Sequence, residues 1–175
     1  MKDIYKLFIA ALLFVLGMSF AQEEARAPLA SEPLFAKLIG TWEGEGWTML
    51  GPNERAEFKQ TELVEAKANG HAITVEGLGK DKESGELVFQ AFGVFSYDAE
   101  KGAYVLTTFQ TEGYSITMNP EVTDDGFIWG FDVPQGTVRY TATLTDTSWT
   151  EIGEFSPDGG ETWFQTFEMN LTKVR

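Results

Sequence analysis

The sequence predicts an all-β protein, an antiparallel up-and-down β-barrel of about ten strands with a short N-terminal helix. From Thr41 onward, short strand-like runs alternate with clusters of residues that favour tight turns, such as Asn69-Gly70 and Asp124-Asp125-Gly126. No helical periodicity interrupts these runs. Because short hairpins produce antiparallel neighbours, and because closing the sheet removes its exposed edges, a barrel is favoured. An open two-sheet sandwich remains the alternative.

The N-terminal residues have the composition of a secretory signal peptide. Lys2 and Lys6 form a basic start, and residues 7–20 are almost entirely apolar. This apolar run has about 14 residues, fewer than the roughly 20 that a membrane-spanning helix needs. Ser19-Phe20-Ala21 supplies the small residues of a cleavage site. We therefore expect a signal peptide over residues 1–21 rather than a membrane anchor, and a periplasmic or secreted product.

Two segments follow the predicted cleavage site. Residues 22–31 are polar and contain proline, which predicts a flexible leader, and residues 32–175 are long enough for one barrel domain. The sequence has no cysteine, so an exported product would depend on packing and hydrogen bonds, without disulfides or zinc–thiolate sites. Its formal net charge of −14 disfavours nucleic acid and anionic membrane surfaces as partners.

A short helix is predicted before the first strand. Residues 31–33 offer a helix start, and apolar side chains within residues 34–39 would bury one side of a helix that ends at Gly40. Such a helix could plug one mouth of the barrel. Beyond it, Gly44 and Gly46 flank Glu45 and predict that the first strand bends sharply.

Alternation of apolar and polar residues assigns the faces of the strands. Residues 137–145 alternate cleanly, with Tyr140 and Leu144 on the apolar side. Residues 88–97 and 127–131 instead carry apolar side chains on both faces. In a barrel this pattern indicates either a lined interior cavity or an outer surface for a partner.

Gly40-Thr41-Trp42 matches a G-x-W motif at the start of the first strand. With the lead-in helix, the short strands and the ending over residues 158–169, the chain resembles the calycin superfamily of lipocalin-like, nitrobindin-like and fatty-acid-binding-like β-barrels. It is most similar to an exported bacterial calycin-like family of unknown function. The resemblance implies that Trp42 packs across the closed end of the barrel. Nitrobindins bind haem through a histidine late in the chain, whereas the only histidine here is His71, so no cofactor is implied.

Residues 156–163 fit the S-x-D-x-G-x-T-W Asp-box, a hairpin turn that recurs around the propellers of sialidases and related enzymes. The motif occurs once here, in a chain too short for several four-stranded blades. We interpret it as a structural hairpin in which Asp158 accepts hydrogen bonds from turn amides and Trp163 packs under the loop.

Polar residues within apolar rows are candidates for the barrel interior. Gln60, Glu62 and Gln165 alternate with apolar neighbours, and Glu151 lies between Trp149 and a glycine. A polar side chain inside a barrel needs a partner, which a ligand can supply. The candidate ligand-binding residues combine such polar groups, the lone histidine and aromatic residues: Gln60, Glu62, His71, Phe89, Phe95, Tyr114, Trp129, Phe131 and Gln165.

These features predict an exported, lipocalin-like binding protein that holds a small apolar or amphipathic molecule in the barrel interior, with no catalytic residue, metal or cofactor assigned. One alternative is a cavity enzyme, an isomerase or hydrolase, in which His71 or Glu62 acts as acid or base. No recognised catalytic motif accompanies these residues, so a non-enzymatic protein is favoured. Another alternative is a barrel with a filled core whose outer surface forms a homodimer or binds another envelope protein.

Overall fold

The computed structural model describes residues 26–111 and 113–175 of the chain. The predicted signal peptide over residues 1–21 lies outside the described residues, as do residues 22–25 of the predicted leader. Across the described ranges, no helix is long and apolar enough to cross a membrane.

Strands make up most of the described chain, accompanied by short helical segments. The strands are β1 (Gly40–Gly51), β2 (Glu54–Lys67), β3 (Ala72–Asp81), β4 (Leu87–Asp98), β5 (Ala103–Gln110), β6 (Ser115–Met118), β7 (Glu121–Val122), β8 (Gly126–Val133), β9 (Gly136–Leu144), β10 (Ser148–Ser156) and β11 (Phe164–Lys173). The helical segments are α1 (Pro33–Leu38) and two 3₁₀ turns, Leu29–Ser31 and Ala68–Gly70.

All the strands belong to one antiparallel sheet of 11 strands, in the order β6-β5-β4-β3-β2-β1-β11-β10-β9-β8-β7. The sheet curls into a half-barrel whose edges are the short strands β6 and β7. The predicted fold class is therefore confirmed, and the two-sheet sandwich is excluded. The strand number exceeds the predicted value of about ten because residues 115–122 form two short strands, separated by Asn119-Pro120, where proline cannot donate to a sheet.

Helix α1 covers one end of the half-barrel. Its apolar residues Leu34, Phe35 and Leu38 are buried, and the Phe35 ring meets the Phe95 ring edge-on, with centroids 5.5 Å apart. Part of the predicted leader packs here as well, since Leu29 is only 1% exposed. A helix this short is not stable alone, so its position depends on the apolar side that it buries.

Trp42 lies in the core at this closed end. Its indole Nε1 donates a hydrogen bond to the Leu38 carbonyl oxygen at 2.8 Å, and its ring meets the Trp149 ring edge-on with centroids 6.0 Å apart. Lys173 Nζ lies 5.0 Å from the Trp42 ring centroid and donates to the Lys37 carbonyl oxygen at 2.6 Å. The first strand, the last strand and helix α1 therefore meet at this tryptophan.

Gly44 and Gly46 allow β11 to approach β1 closely. A Cβ atom at Gly44 would collide with the Asn170 carbonyl oxygen. A Cβ atom at Gly46 would collide with the Glu168 carbonyl oxygen and the Phe58 ring. The two glycines therefore serve the close approach of a neighbouring backbone, whereas the sharp bend that the sequence predicts here stays a prediction.

The turn between β10 and β11 contains the hydrogen bonds expected of the Asp-box. Asp158 Oδ1 accepts from the backbone N–H groups of Glu161 and Thr162, at 3.1 and 2.9 Å, and from the Ser156 hydroxyl at 2.8 Å. These donors, the Thr162 amide foremost, lower the pKa of Asp158 to about 2. The Trp163 indole donates to a carbonyl of the same turn at 3.0 Å. Since all these partners belong to the turn, the motif serves the hairpin.

Replacing Asp158 with alanine should lower the melting temperature at neutral pH, because the turn amides lose their acceptor. The pKa of Asp158 is lower in the folded state than its unfolded value of about 4, so its contribution is present above pH 4 and is lost as pH falls toward 2. Thermal unfolding followed from neutral to acid pH should show the variant converging on the unmodified protein. Asp124→Ala, in another exposed turn, is the control, and an equal effect in both variants would contradict this role.

Candidate ligand-binding cavity

A cavity of about 550 Å³ lies inside the half-barrel, beyond the aromatic residues that cover the closed end. Side chains from β1 to β5 and from β8 to β11 line it. The exposed apolar residues Leu50, Val88 and Phe89 lie at its mouth, near the β1–β2 and β3–β4 turns. Its volume lies within the range of small-molecule sites.

A bulge in β4 shapes the mouth of the cavity. Gly79 pairs with Phe89 and Lys80 pairs with Leu87, so Val88 is an extra residue with no partner on β3. The bulge lets Val88 and Phe89 both reach the cavity, although they are adjacent in the chain. Simple alternation would place them on opposite faces.

Aromatic rings form one wall of the cavity. The Trp129 ring stacks on the Tyr140 ring with centroids 4.2 Å apart, and Tyr140 meets Phe167 edge-on at 5.6 Å. Phe167 in turn stacks on Phe58 at 5.6 Å. Gly153 on β10 gives Tyr140 the room to lie against that strand. A Cβ atom at this position would be only 2.7 Å from the Tyr140 ring. The wall offers planar apolar surface to a ligand.

Two glycines on β3 make room for polar side chains of β2. A Cβ atom at Gly77 would lie 2.7 Å from Glu62 Oε1 and 3.0 Å from Gln60 Nε2. A Cβ atom at Gly79 would lie 2.9 Å from Gln60 Oε1. Any larger residue at these positions would displace the two side chains, so the glycines preserve the polar patch inside the cavity.

Glu62 is buried and accepts a hydrogen bond from Gln60 Nε2 to Oε1 at 2.7 Å. Burial raises the pKa of Glu62 to about 8, because the charged form loses its hydration. The Gln60 hydrogen bond opposes this increase, whereas repulsion from Glu151 adds to it. The charge of Glu151 therefore reaches Glu62 inside the cavity.

Glu151 lies on β10 and is 7% exposed. Burial raises its pKa to about 7, partly offset by the indole groups of Trp149 and Trp129. Trp149 Nε1 is buried and makes no hydrogen bond of ordinary geometry within the described residues, and its N–H group favours the ionised carboxylate. Burial, together with the charge of Glu151, also raises the pKa of Tyr140 to about 12.

The sequence matches neither a protein-family model nor a curated protein. Several solved structures superpose on the chain, including the following two. Rv2717c from M. tuberculosis does so with a TM-score of 0.63 at 13% sequence identity, covering 85% of this chain and 99% of that one. The S-type phycobiliprotein lyase CPES from Guillardia theta does so with a TM-score of 0.58 at 10% identity, covering 81% and 90%. The fold is calycin-like.

At these identities the likeness concerns the calycin-like fold alone. It confirms the predicted resemblance to the calycin superfamily at the level of architecture. Membership of the exported bacterial family stays a prediction.

Most of the candidate residues chosen from the sequence line the cavity of this calycin-like barrel. Those on the lining are Gln60, Glu62, Phe89, Phe95, Trp129 and Phe131. Within the described parts of the chain, no group of three or more His, Cys, Asp or Glu side chains is arranged to hold a metal ion.

The other three candidates, His71, Tyr114 and Gln165, lie outside the cavity. His71 is exposed and follows the 3₁₀ turn Ala68–Gly70, which packs against Pro28 and Ala30 near the closed end. Tyr114 is 67% exposed in the connection between β5 and β6. Neither side chain is therefore available to a molecule held within the barrel.

A bulge explains why Gln165 points outward. Gly153 pairs with Phe167 and Glu154 pairs with Gln165, so Thr166 is an extra residue of β11. Alternation would place Gln165 on the same face as Phe167, but the extra residue reverses its side. Gln165 Nε2 instead donates to the exposed Glu168 carboxylate at 3.0 Å.

Several lining residues were not among the candidate ligand-binding residues, namely Tyr140, Trp149, Phe58, Phe167 and also Glu151, which the sequence had assigned only to the barrel interior. For Tyr140, Trp149 and Glu151 the signal was present in the alternation of β9 and β10, where each shares a face with buried residues. Choosing among such inward residues requires knowing which level of the barrel is filled and which is hollow.

Proposed function

We propose that this chain is an exported calycin-like binding protein that holds a small apolar or amphipathic molecule inside the barrel. The observation that carries the proposal is the aromatic-lined cavity of about 550 Å³. Protein interiors leave few voids larger than a water molecule, so a space of this size calls for an occupant. A small ligand would bury most of its surface there.

The two alternatives have less support. The enzyme hypothesis named His71 and Glu62, of which only Glu62 lines the cavity. The interaction hypothesis assumed a filled core, which the cavity contradicts. Its remaining support is the outward pair Phe92 and Phe109, whose rings lie 6.3 Å apart and are 39% and 45% exposed.

Native mass spectrometry tests the proposal most directly. The protein would be exported by a bacterial host, purified without detergent, and extracted with solvent to identify any retained molecule. A defined additional mass that solvent extraction removes is the expected result. A bare protein mass, together with no quenching of tryptophan fluorescence by apolar and aromatic test compounds, would contradict it.

Filling part of the cavity should weaken binding without unfolding the protein. Ala91 lines the cavity on β4, so Ala91→Trp would place an indole in the space that a ligand needs. We expect its affinity for a retained ligand to fall by about tenfold or more, the effect of losing roughly one well-packed contact group. Gln90→Trp is the matched control, because Gln90 precedes Ala91 on the same strand and lies outside the cavity. Equal affinities of the two variants would place the ligand elsewhere.

A further inference from the structure

Every ionisable side chain that lines the cavity is an acid. Glu57 and Asp81 lie toward the mouth, and Glu62, Tyr140 and Glu151 lie deeper. No lysine, arginine or histidine of the described residues reaches the lining. A ligand that presented a carboxylate or phosphate to the deep part of this cavity would meet like charge and no cationic partner.

The deep carboxyl groups have hydrogen-bonding capacity that the protein does not use. Gln60 donates to one oxygen of Glu62, at 2.7 Å, and glycines on β3 leave the space that this arrangement needs. Beside Glu151, the donors are the indole groups of Trp149 and Trp129, and Trp149 Nε1 makes no hydrogen bond of ordinary geometry within the described residues. The unpaired indole N–H favours an ionised Glu151, and the carboxyl oxygens that accept no other hydrogen bond from the described residues are open to a donor from within the cavity.

The aromatic wall is suited to the same kind of group. Trp129 and Tyr140 stack against each other beside Glu151, and both rings line the cavity. Aromatic faces attract cations, most strongly where water is excluded. Acidic acceptors and aromatic faces thus converge on one part of the cavity.

Resting on the proposed binding function, we propose that the ligand presents a positively charged nitrogen, as a protonated amine or a protonated nitrogen heterocycle, to the carboxyl pair Glu62 and Glu151. The apolar remainder of the ligand would lie against the aromatic wall and extend toward the mouth. When the cation binds, one carboxyl group ionises and its proton goes to solvent. The carboxylate then balances the positive charge of the ligand inside the cavity.

Proton release gives the proposal a pH dependence. The pKa values of Glu62 and Glu151 are raised to about 8 and about 7, so the pair retains protons near neutrality. The other ionisable groups that face the cavity are Tyr140 on β9, Asp81 on β3 and Glu57 on β2, all of them acids. Glu57 is paired with Lys82 at 3.0 Å, and this exposed ion pair lies away from Glu62 and Glu151, toward the mouth. Affinity for a cation should therefore rise as pH increases from about 6 to about 8.

Three matched fluorescent probes test the inference: 1-pyrenemethylamine, 1-pyrenemethanol and 1-pyrenecarboxylate. They share one planar apolar body and differ in the charge of a single substituent. We expect the amine to bind about tenfold more tightly than the alcohol, as expected for one charge-assisted hydrogen bond, and the carboxylate to bind most weakly. Titration calorimetry in buffers of different ionisation enthalpy should show proton release for the amine alone.

Variants of equal net charge separate the cavity acids from the general acidity of the protein. Glu62→Gln/Glu151→Gln should lose the preference for the amine, while Glu65→Gln/Glu76→Gln, on the exposed outer face, should retain it. Tight binding of the carboxylate, or equal binding of amine and alcohol without proton release, would overturn the inference and leave the proposed binding function intact. Binding of none of the three probes would count against both.

Discussion

Replacing Trp42 with alanine is expected to lower the free energy of unfolding by about 3–5 kcal/mol, the usual range for removing a buried aromatic side chain. The indole is fully buried, and its loss would leave a void between β1, Trp149 and helix α1. The Leu38 carbonyl oxygen would also lose the indole N–H that it accepts at 2.8 Å. Urea unfolding followed by circular dichroism measures the change.

Trp42→Phe separates packing from hydrogen bonding. Phenylalanine retains a ring against Trp149 but cannot donate to Leu38, so we expect a smaller loss of about 1–2 kcal/mol. If Trp42→Ala lowered the free energy of unfolding by less than about 1 kcal/mol, the packing of α1 and β1 around this residue would not hold the closed end together.

The second large effect is a loss of stability with rising pH, caused by the buried carboxyl groups of Glu62 and Glu151. Both have folded-state pKa values, about 8 and about 7, above the unfolded value of a glutamate. Their contribution is therefore fully present below about pH 4 and is lost as pH rises through the folded-state values. At about 1.4 kcal/mol per pKa unit, the two groups together would lower the free energy of unfolding by several kcal/mol between pH 5 and pH 9.

The double variant Glu62→Gln/Glu151→Gln removes both titrating groups and keeps similar side-chain volumes. We expect its free energy of unfolding to be close to that of the unmodified protein at pH 5 and higher by several kcal/mol at pH 9. Glu65→Gln/Glu76→Gln serves again as the control, since both of these acids are exposed. A stability difference that did not change with pH would show that the inward carboxyls titrate as ordinary exposed acids.

Local patterns in the sequence were sufficient for much of the fold. Turn residues such as Asn69-Gly70 mark where strands end, and the alternation over residues 137–145 places Tyr140 on the inner face. Both signals depend on a few neighbouring residues, so they can be recognised in a single sequence. Gln60 and Glu62 were found in the same way, since a polar residue within an apolar row of one strand is visible without a partner strand.

Two bulges limited what alternation could predict about the site. An extra residue at Thr166 turns Gln165 outward, and an extra residue at Val88 brings two adjacent side chains to the mouth. A bulge is defined by the register between two strands, so one strand's sequence does not reveal it. The position of His71 outside the cavity could not be predicted for a related reason, since its level along the barrel depends on which end α1 covers.

The sequence by itself determined that this chain forms short antiparallel strands, that a helix precedes them, and that aromatic and acidic residues share their inner faces. Only the tertiary structure decided which end α1 and Trp42 close, and that Glu62 on β2 and Glu151 on β10 face one cavity with two strands between them. The physical reason is the distance along the chain over which each interaction acts. Backbone propensity and side-chain period act between near neighbours, whereas a binding cavity and the pKa values within it depend on groups that only sheet curvature and register bring together.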